Sequence, residues 1–191
     1  MKSTDKGLFL LIIFFICSFS LSAQTEHLKF MGIPITGSTI DFHKELDEKG
    51  FSCKGVMSES DSTKILEYEG IFTGRKVFVY VVSGYDIVWK IEVKYPNYNS
   101  FSEIEKDYKA IVAQYSIKYG NEFEHYEIFT DQENINDDDS KLQQLKQGQC
   151  FYLSGWFFKK GFIGIRINDD VSLRVTYEDA ESQKRKDQYS K

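Results

Sequence analysis

The chain has 191 residues, 16 of them Phe and 12 Tyr, and a formal net charge of −5. That balance gives no basic footprint for nucleic acid. The length allows one domain or two small fused halves, and a chain this size hides roughly 70% of its unfolded surface, so it needs neither a metal nor a disulfide to fold.

Residues 1–23 read as a signal peptide. Lys2 and Lys6 give a positive start, Leu8 to Phe19 is a nearly continuous apolar run, and Leu21-Ser22-Ala23 offers small residues for cleavage. Two rivals stand beside this reading. One is lipid attachment at Cys17, where Phe15 and Ile16 occupy positions that call for a small residue; the other is an uncleaved N-terminal anchor. Cleavage after Ala23 removes two lysines and one acidic residue, leaving a charge of −6. The mature chain is then expected in the periplasm or outside the cell, with no stable membrane span.

Residues 24–95 form the first expected α+β half. Ser38 caps a helix with Asp41 answering the free amides, and Gly50 ends it. Phe51 to Met57 is a candidate first strand. From Leu66 to Tyr95 three antiparallel strands follow with tight turns at Gly74 and Gly84. Residues 96–178 form the second half. Ser100 and Glu103 make a capping box, and Ile104, Tyr108, Ile111, Val112, Tyr115 and Tyr119 follow at helical spacing up to Gly120. Phe123 to Phe129 reads as a strand, 131–148 as a polar insertion, and Phe151 to Tyr177 as a second three-strand block. The tail, 179–191, is charged and reads as frayed or as a short exposed helix.

The two blocks resemble each other. Gly70-Ile71-Phe72 matches Gly155-Trp156-Phe157 at an offset of 85, and the offset pairs Arg75 with Lys160. The expected architecture is therefore two tandem repeats of helix, then antiparallel strands, with helices covering one face of the sheet.

The chemistry-bearing residues are sparse. His27, His43 and His125 have no zinc-ligand spacing. Asn134, Asn136 and Asp138 alternate as calcium ligands do, but Asp139 stands where such a loop needs Gly and Leu145 where it needs Glu. The insertion therefore reads as a solvated, mobile loop. Cys150 with His125 as base is one nucleophile reading, against the simpler reading of a structural thiol. Cys53 and Cys150, one in each half, are either a bridge, which an oxidising compartment allows, or two separate thiols. No cofactor is implied, and no catalytic residue stands out.

The more informative feature is the sheet's outer face. With Leu66, Tyr68, Phe72, Phe151, Leu153 and Phe157 assigned to the helix side, the alternation turns Ile71, Tyr152, Trp156 and Phe158 outward. Val77, Val79 and Phe162 are candidates to join them. Exposed apolar patches mark partner surfaces, and Trp and Tyr are common anchors in them.

The segments KFMGIPITGSTIDFHKELDEKGF and KYPNYNSFSEIEKDYKAIVAQYSIKYGNE, with the strand meander between them, resemble a group of small secreted Bacteroidetes proteins that lack assigned function. The tandem layout is also similar to the β-lactamase inhibitor protein fold, whose two halves form a concave sheet that grips a partner. The chain departs from that pattern in showing one clear helix per half and one Cys per half. The resemblance implies a fold and no site residues. Binding of a protein or an envelope component is the first functional expectation. An envelope hydrolase with a cleft between the halves, or a structural envelope subunit, are the alternatives.

Overall fold

The computed structural model describes residues 26–189 apart from 61, 133, 134 and 136. The signal-peptide segment, Cys17 and the two asparagines of the calcium pattern lie outside the described residues. Both expected caps form. The Ser38 hydroxyl accepts the Asp41 amide at 3.1 Å and starts α1, Thr39–Glu48; the Ser100 hydroxyl accepts the Glu103 amide at 3.2 Å and starts α2, Phe101–Tyr119. Gly50 and Gly120 follow these helices with φ of 83° and 87°, which an L side chain adopts only under strain.

Two short strands, β1 (Lys29–Phe30) and β2 (Ile33–Pro34), pair before α1. After it come β3 (Ser52–Glu59), β4 (Lys64–Phe72), β5 (Arg75–Gly84) and β6 (Ile87–Lys94). After α2 come β7 (Glu124–Phe129), a helix α3 (Asp138–Lys146), then β8 (Cys150–Phe158), β9 (Gly161–Ile167) and β10 (Leu173–Asp179). The chain closes with α4, Ala180–Tyr189. Strands β3 to β10 make one eight-stranded sheet in the order β3-β4-β5-β6-β10-β9-β8-β7. Every neighbouring pair is antiparallel, so the expected α+β class holds. The first meander meets the second at β6 and β10, where Val93 faces Val175 and Ile91 faces Tyr177.

Helices cover one face. His43 of α1 reaches the Tyr68 hydroxyl, Tyr108 of α2 reaches Ser154, and Tyr115 of α2 bonds Tyr177. Val77, Val79, Val81, Ile91, Val93, Ile163, Ile165, Leu173 and Val175 are buried beneath them. Phe30 is fully buried, with its ring 5.3–6.2 Å from those of Phe51, Phe72 and Tyr177. Burial holds the Tyr115 and Tyr177 hydroxyls protonated far above their ordinary range. A bulge between Val82 and Ser83 interrupts the alternation in β6, so Val88 is buried as well as Ile91 and Val93.

One expectation changes and one is narrowed. The polar insertion is not wholly a solvated loop. Asp137 caps α3 through a reciprocal pair with Ser140, and Leu145 is buried at 1% exposure. Asp138, the third residue of the calcium pattern, accepts the amides of Phe101 and Ser102 at 3.0 and 2.6 Å. It therefore seats the start of α2, where a carboxylate suits the helix's positive end. Of the two readings of the tail the short exposed helix holds, with only Ser182 of α4 buried, and its start is docked rather than frayed. Asp179 accepts the Ser182 amide, Ser182 donates its hydroxyl to the Ile35 carbonyl, and Lys186 lies 4.7 Å from the centre of the Trp89 ring. Among the described residues no helix is long and apolar enough to cross a membrane.

Candidate functional site

A side chain's face follows from strand parity, and parity follows from register. Hairpin β4–β5 ends on the pair Phe72 and Arg75, whereas β8–β9 ends on Phe158 and Gly161. Matching the two hairpins by their two-residue turns, Thr73-Gly74 and Lys159-Lys160, gives an offset of 86 rather than 85. One residue of slip exchanges the faces of the second block.

Trp156, Tyr152 and Phe158 therefore point toward the helices and not outward. Trp156 is 2% exposed, and its ring N–H donates to the Gly120 carbonyl at 2.9 Å, closing the end of α2. Tyr152 is buried and donates to Glu105 at 3.0 Å. Phe158 packs on Tyr119, ring centres 5.4 Å apart. Val77 and Val79 are likewise core. Ile71 does face outward, half-exposed, beside Glu69, which Lys54 and Lys76 clamp.

The reversed parity turns Phe151, Leu153 and Phe157 outward instead. Phe157 is 55% exposed and Phe123, just before β7, 79%. Tyr126 and Ile128 of β7 stand opposite Leu153 and Phe151 on the same face. The rings form two groups on this face. Phe123 meets Phe157 at 5.6 Å, Phe157 meets Phe162 at 4.8 Å, and Tyr126 meets Phe151 at 5.7 Å. Gly155 and Gly164 face each other beneath Phe162, and a β-carbon on either would sit 2.9 or 2.7 Å from its ring. The two glycines thus let one aromatic ring lie flat across two strands.

Beside this layer the centre of the outer face is ionic. Arg174 donates to Glu92 at 2.6 Å and to Asp170 at 2.9 Å, Lys94 donates to Asp170 at 2.8 Å, and Lys90 pairs with Glu178 at 2.9 Å. Partial burial opposes ionisation of Asp170, but hydrogen bonds from Lys94, Ser172 and Arg174 outweigh it and hold the carboxyl well below its usual range. The face therefore runs from an aromatic flank on β7–β9, across an ion-pair belt on β10 and β6, to a mixed flank on β4 and β5.

Reactive groups are differently placed. His125 Nδ1 lies 3.0 Å from Ser154 Oγ and 3.3 Å from Glu122, and Nε2 lies 3.5 Å from Glu127. Ser154 also bonds the Tyr108 hydroxyl at 2.8 Å and has no exposed surface. Cys150 stands opposite Phe129, four residues along β8 from Ser154 and so roughly 13 Å away. It is no partner for His125, and burial pushes its thiol up to about 12. Among the described residues no group of His, Cys, Asp and Glu side chains could hold a metal.

The bridge reading does not hold. Cys53 and Cys150 are both free, on strands separated by six steps of the sheet, roughly 29 Å. A disulfide needs α-carbons within about 7 Å.

The aromatic layer had a legible signal. Tyr126 and Ile128 alternate with polar residues in β7, and the two-residue Lys159-Lys160 turn fixes the parity of β8 once it is recognised. Comparison with family models, with curated proteins and with solved structures gives no match for this chain.

Proposed function

We propose that the protein is an exported, non-catalytic binding protein that holds a protein partner on the aromatic flank of its outer sheet face. One observation carries this reading: Tyr126, Ile128, Phe151 and Phe157 are large and exposed together on a single face of β7 and β8, and the exposed Phe123, just before β7, packs on Phe157. Contiguous apolar surface of this kind is uncommon on a chain that works alone. Aromatic rings give contact area at little conformational cost, and the ion-pair belt beside them supplies a polar rim. The signal-peptide pattern of residues 1–23 supports a periplasmic or secreted location. The arrangement of α1 with β3–β6 and α2 with β7–β10 supports a descent from two copies of one helix-plus-four-strand unit. A sheet open on one face is also the feature that the resemblance to the β-lactamase inhibitor protein fold implies for gripping a partner.

The test is affinity capture from the native envelope with the protein and with Phe157→Asp. The reading expects one partner bound by the protein and lost with Phe157→Asp, while the circular dichroism of the two is the same. Equal capture by both would sink it.

A second reading, hydrolysis at His125, draws on the Ser154–His125–Glu127 sequence of contacts. Against it, the Ser154 hydroxyl is enclosed and already shared with Tyr108, so no substrate carbon can reach it without α2 moving. Labelling of Ser154 by a fluorophosphonate would establish that reading, and absence of labelling would dispose of it.

A further inference from the structure

The sheet ends on two edge strands of opposite character. Strand β3 carries two irregularities, between Cys53 and Gly55 and between Val56 and Ser58, and Gly55 has φ of 130°. Bulges of this kind twist an edge away from further pairing. Strand β7 has none. Its six residues pair with β8 without a break, and they include no Pro, Gly or Lys.

The hydrogen-bonding direction of β7 is set at its end. The Thr130 amide donates to the Gln149 carbonyl at 2.8 Å. Alternation along an antiparallel strand then sends the amides of Ile128 and Tyr126 toward β8 as well. The amides and carbonyls of His125, Glu127 and Phe129 point off the sheet's edge, where β7 has no strand neighbour among the described residues.

We propose that β7 pairs antiparallel with β7 of a second copy of this chain. Of the registers that keep each face on its own side, two overlap the six-residue strands most, each opposing five residues. In one, Glu127 meets the partner's Glu127, and like charges directly opposite are destabilising. In the other, Tyr126 meets the partner's Tyr126 on the outer face, and His125 meets the partner's Glu127 on the helix face, twice over by symmetry. The second register matches a ring N–H donor to a carboxylate and uses the outward amides of both His125 and Glu127. It is the register assigned here, and it places the two aromatic flanks side by side as one surface. A self-complementary patch about a two-fold axis is the commonest way in which identical chains associate.

The pairing is independent of partner capture at Phe157, whose side chain stands on the face and not at the edge. Light scattering of the purified protein over about 1–200 μM is expected to give twice the monomer mass. Monomer throughout would overturn the proposal. Glu127→Pro removes an outward amide and spares the ladder to β8; it is expected to be monomeric, and a Glu127→Pro dimer would overturn the edge assignment. Should Glu127→Pro fail to fold, His125→Glu sets two carboxylates opposite each other and is expected to raise the dissociation constant at least 10-fold; no change would count against the pairing. Tyr126→Cys, combined with Cys17→Ser, Cys53→Ser and Cys150→Ser, is expected to form a disulfide-linked dimer on mild oxidation. A dimer that fails to link there, or that links through Glu127→Cys instead, contradicts the register.

Discussion

Trp156 and Phe157 are neighbours with opposite duties. The first closes the end of α2 through the Gly120 carbonyl; the second lies on the open face against Phe123 and Phe162. Trp156→Ala is expected to cost about 3–5 kcal/mol in chemical denaturation, the range for a large buried ring. Phe157→Ser should cost under about 1 kcal/mol, as exposed substitutions usually do. Residue identities along these strands are legible from sequence, since apolar and polar positions alternate. Their face is not, because a match of Gly-apolar-Phe triplets looks as good at an offset of 85 as a match of the two-residue turns does at 86. A shift of one residue in that match moves Trp156 between the core and the surface. Asp170 belongs to the same scale. Its carboxyl is held below its usual range by Lys94, Ser172 and Arg174 after their bonds outweigh its burial. A depressed carboxyl stabilises the folded chain fully above its unfolded value near ~3.9 and loses that contribution as the pH falls through the folded value. Asp170→Asn should therefore melt lower than the parent at pH 7, and the gap should narrow below about pH 4. A gap that stays constant down to pH 2 would contradict this.

At the scale of elements, α1 and α2 were readable because each has a Ser cap, an apolar stripe and a terminal Gly. Helix α3 was not. It is nine residues long, mostly charged or amide-bearing, and only Leu142 and Leu145 give it an apolar side. A pattern so short falls below what periodicity can separate from loop. Its position rests on tertiary bonds instead, with Asp138 bonded to the Phe101 and Ser102 amides. Asp138→Ala should destabilise the protein by about 0.5–2 kcal/mol, as loss of a helix cap does. Hydrogen exchange should quicken first in the opening turn of α2, and unchanged protection there would show that α3 is seated by other contacts.

For the whole molecule, the antiparallel α+β class and helices on one face follow from alternation and from the caps. The junction of β6 with β10 does not, since it joins segments some 80 residues apart with no turn to announce it. Nor does the separation of Cys53 from Cys150, which depends on the strand order. That order also decides function as we read it. It places β7 at an edge and gathers the exposed rings of β7–β9 on a flank of the outer face where, among the described residues, no helix lies.

The most direct measurement is site-specific photocrosslinking in the native envelope, with benzoylphenylalanine at position 157, 151 or 156. The account predicts an adduct with one protein from 157 and 151 and none from 156. Adducts from 156, or none from 157 and 151, would contradict it.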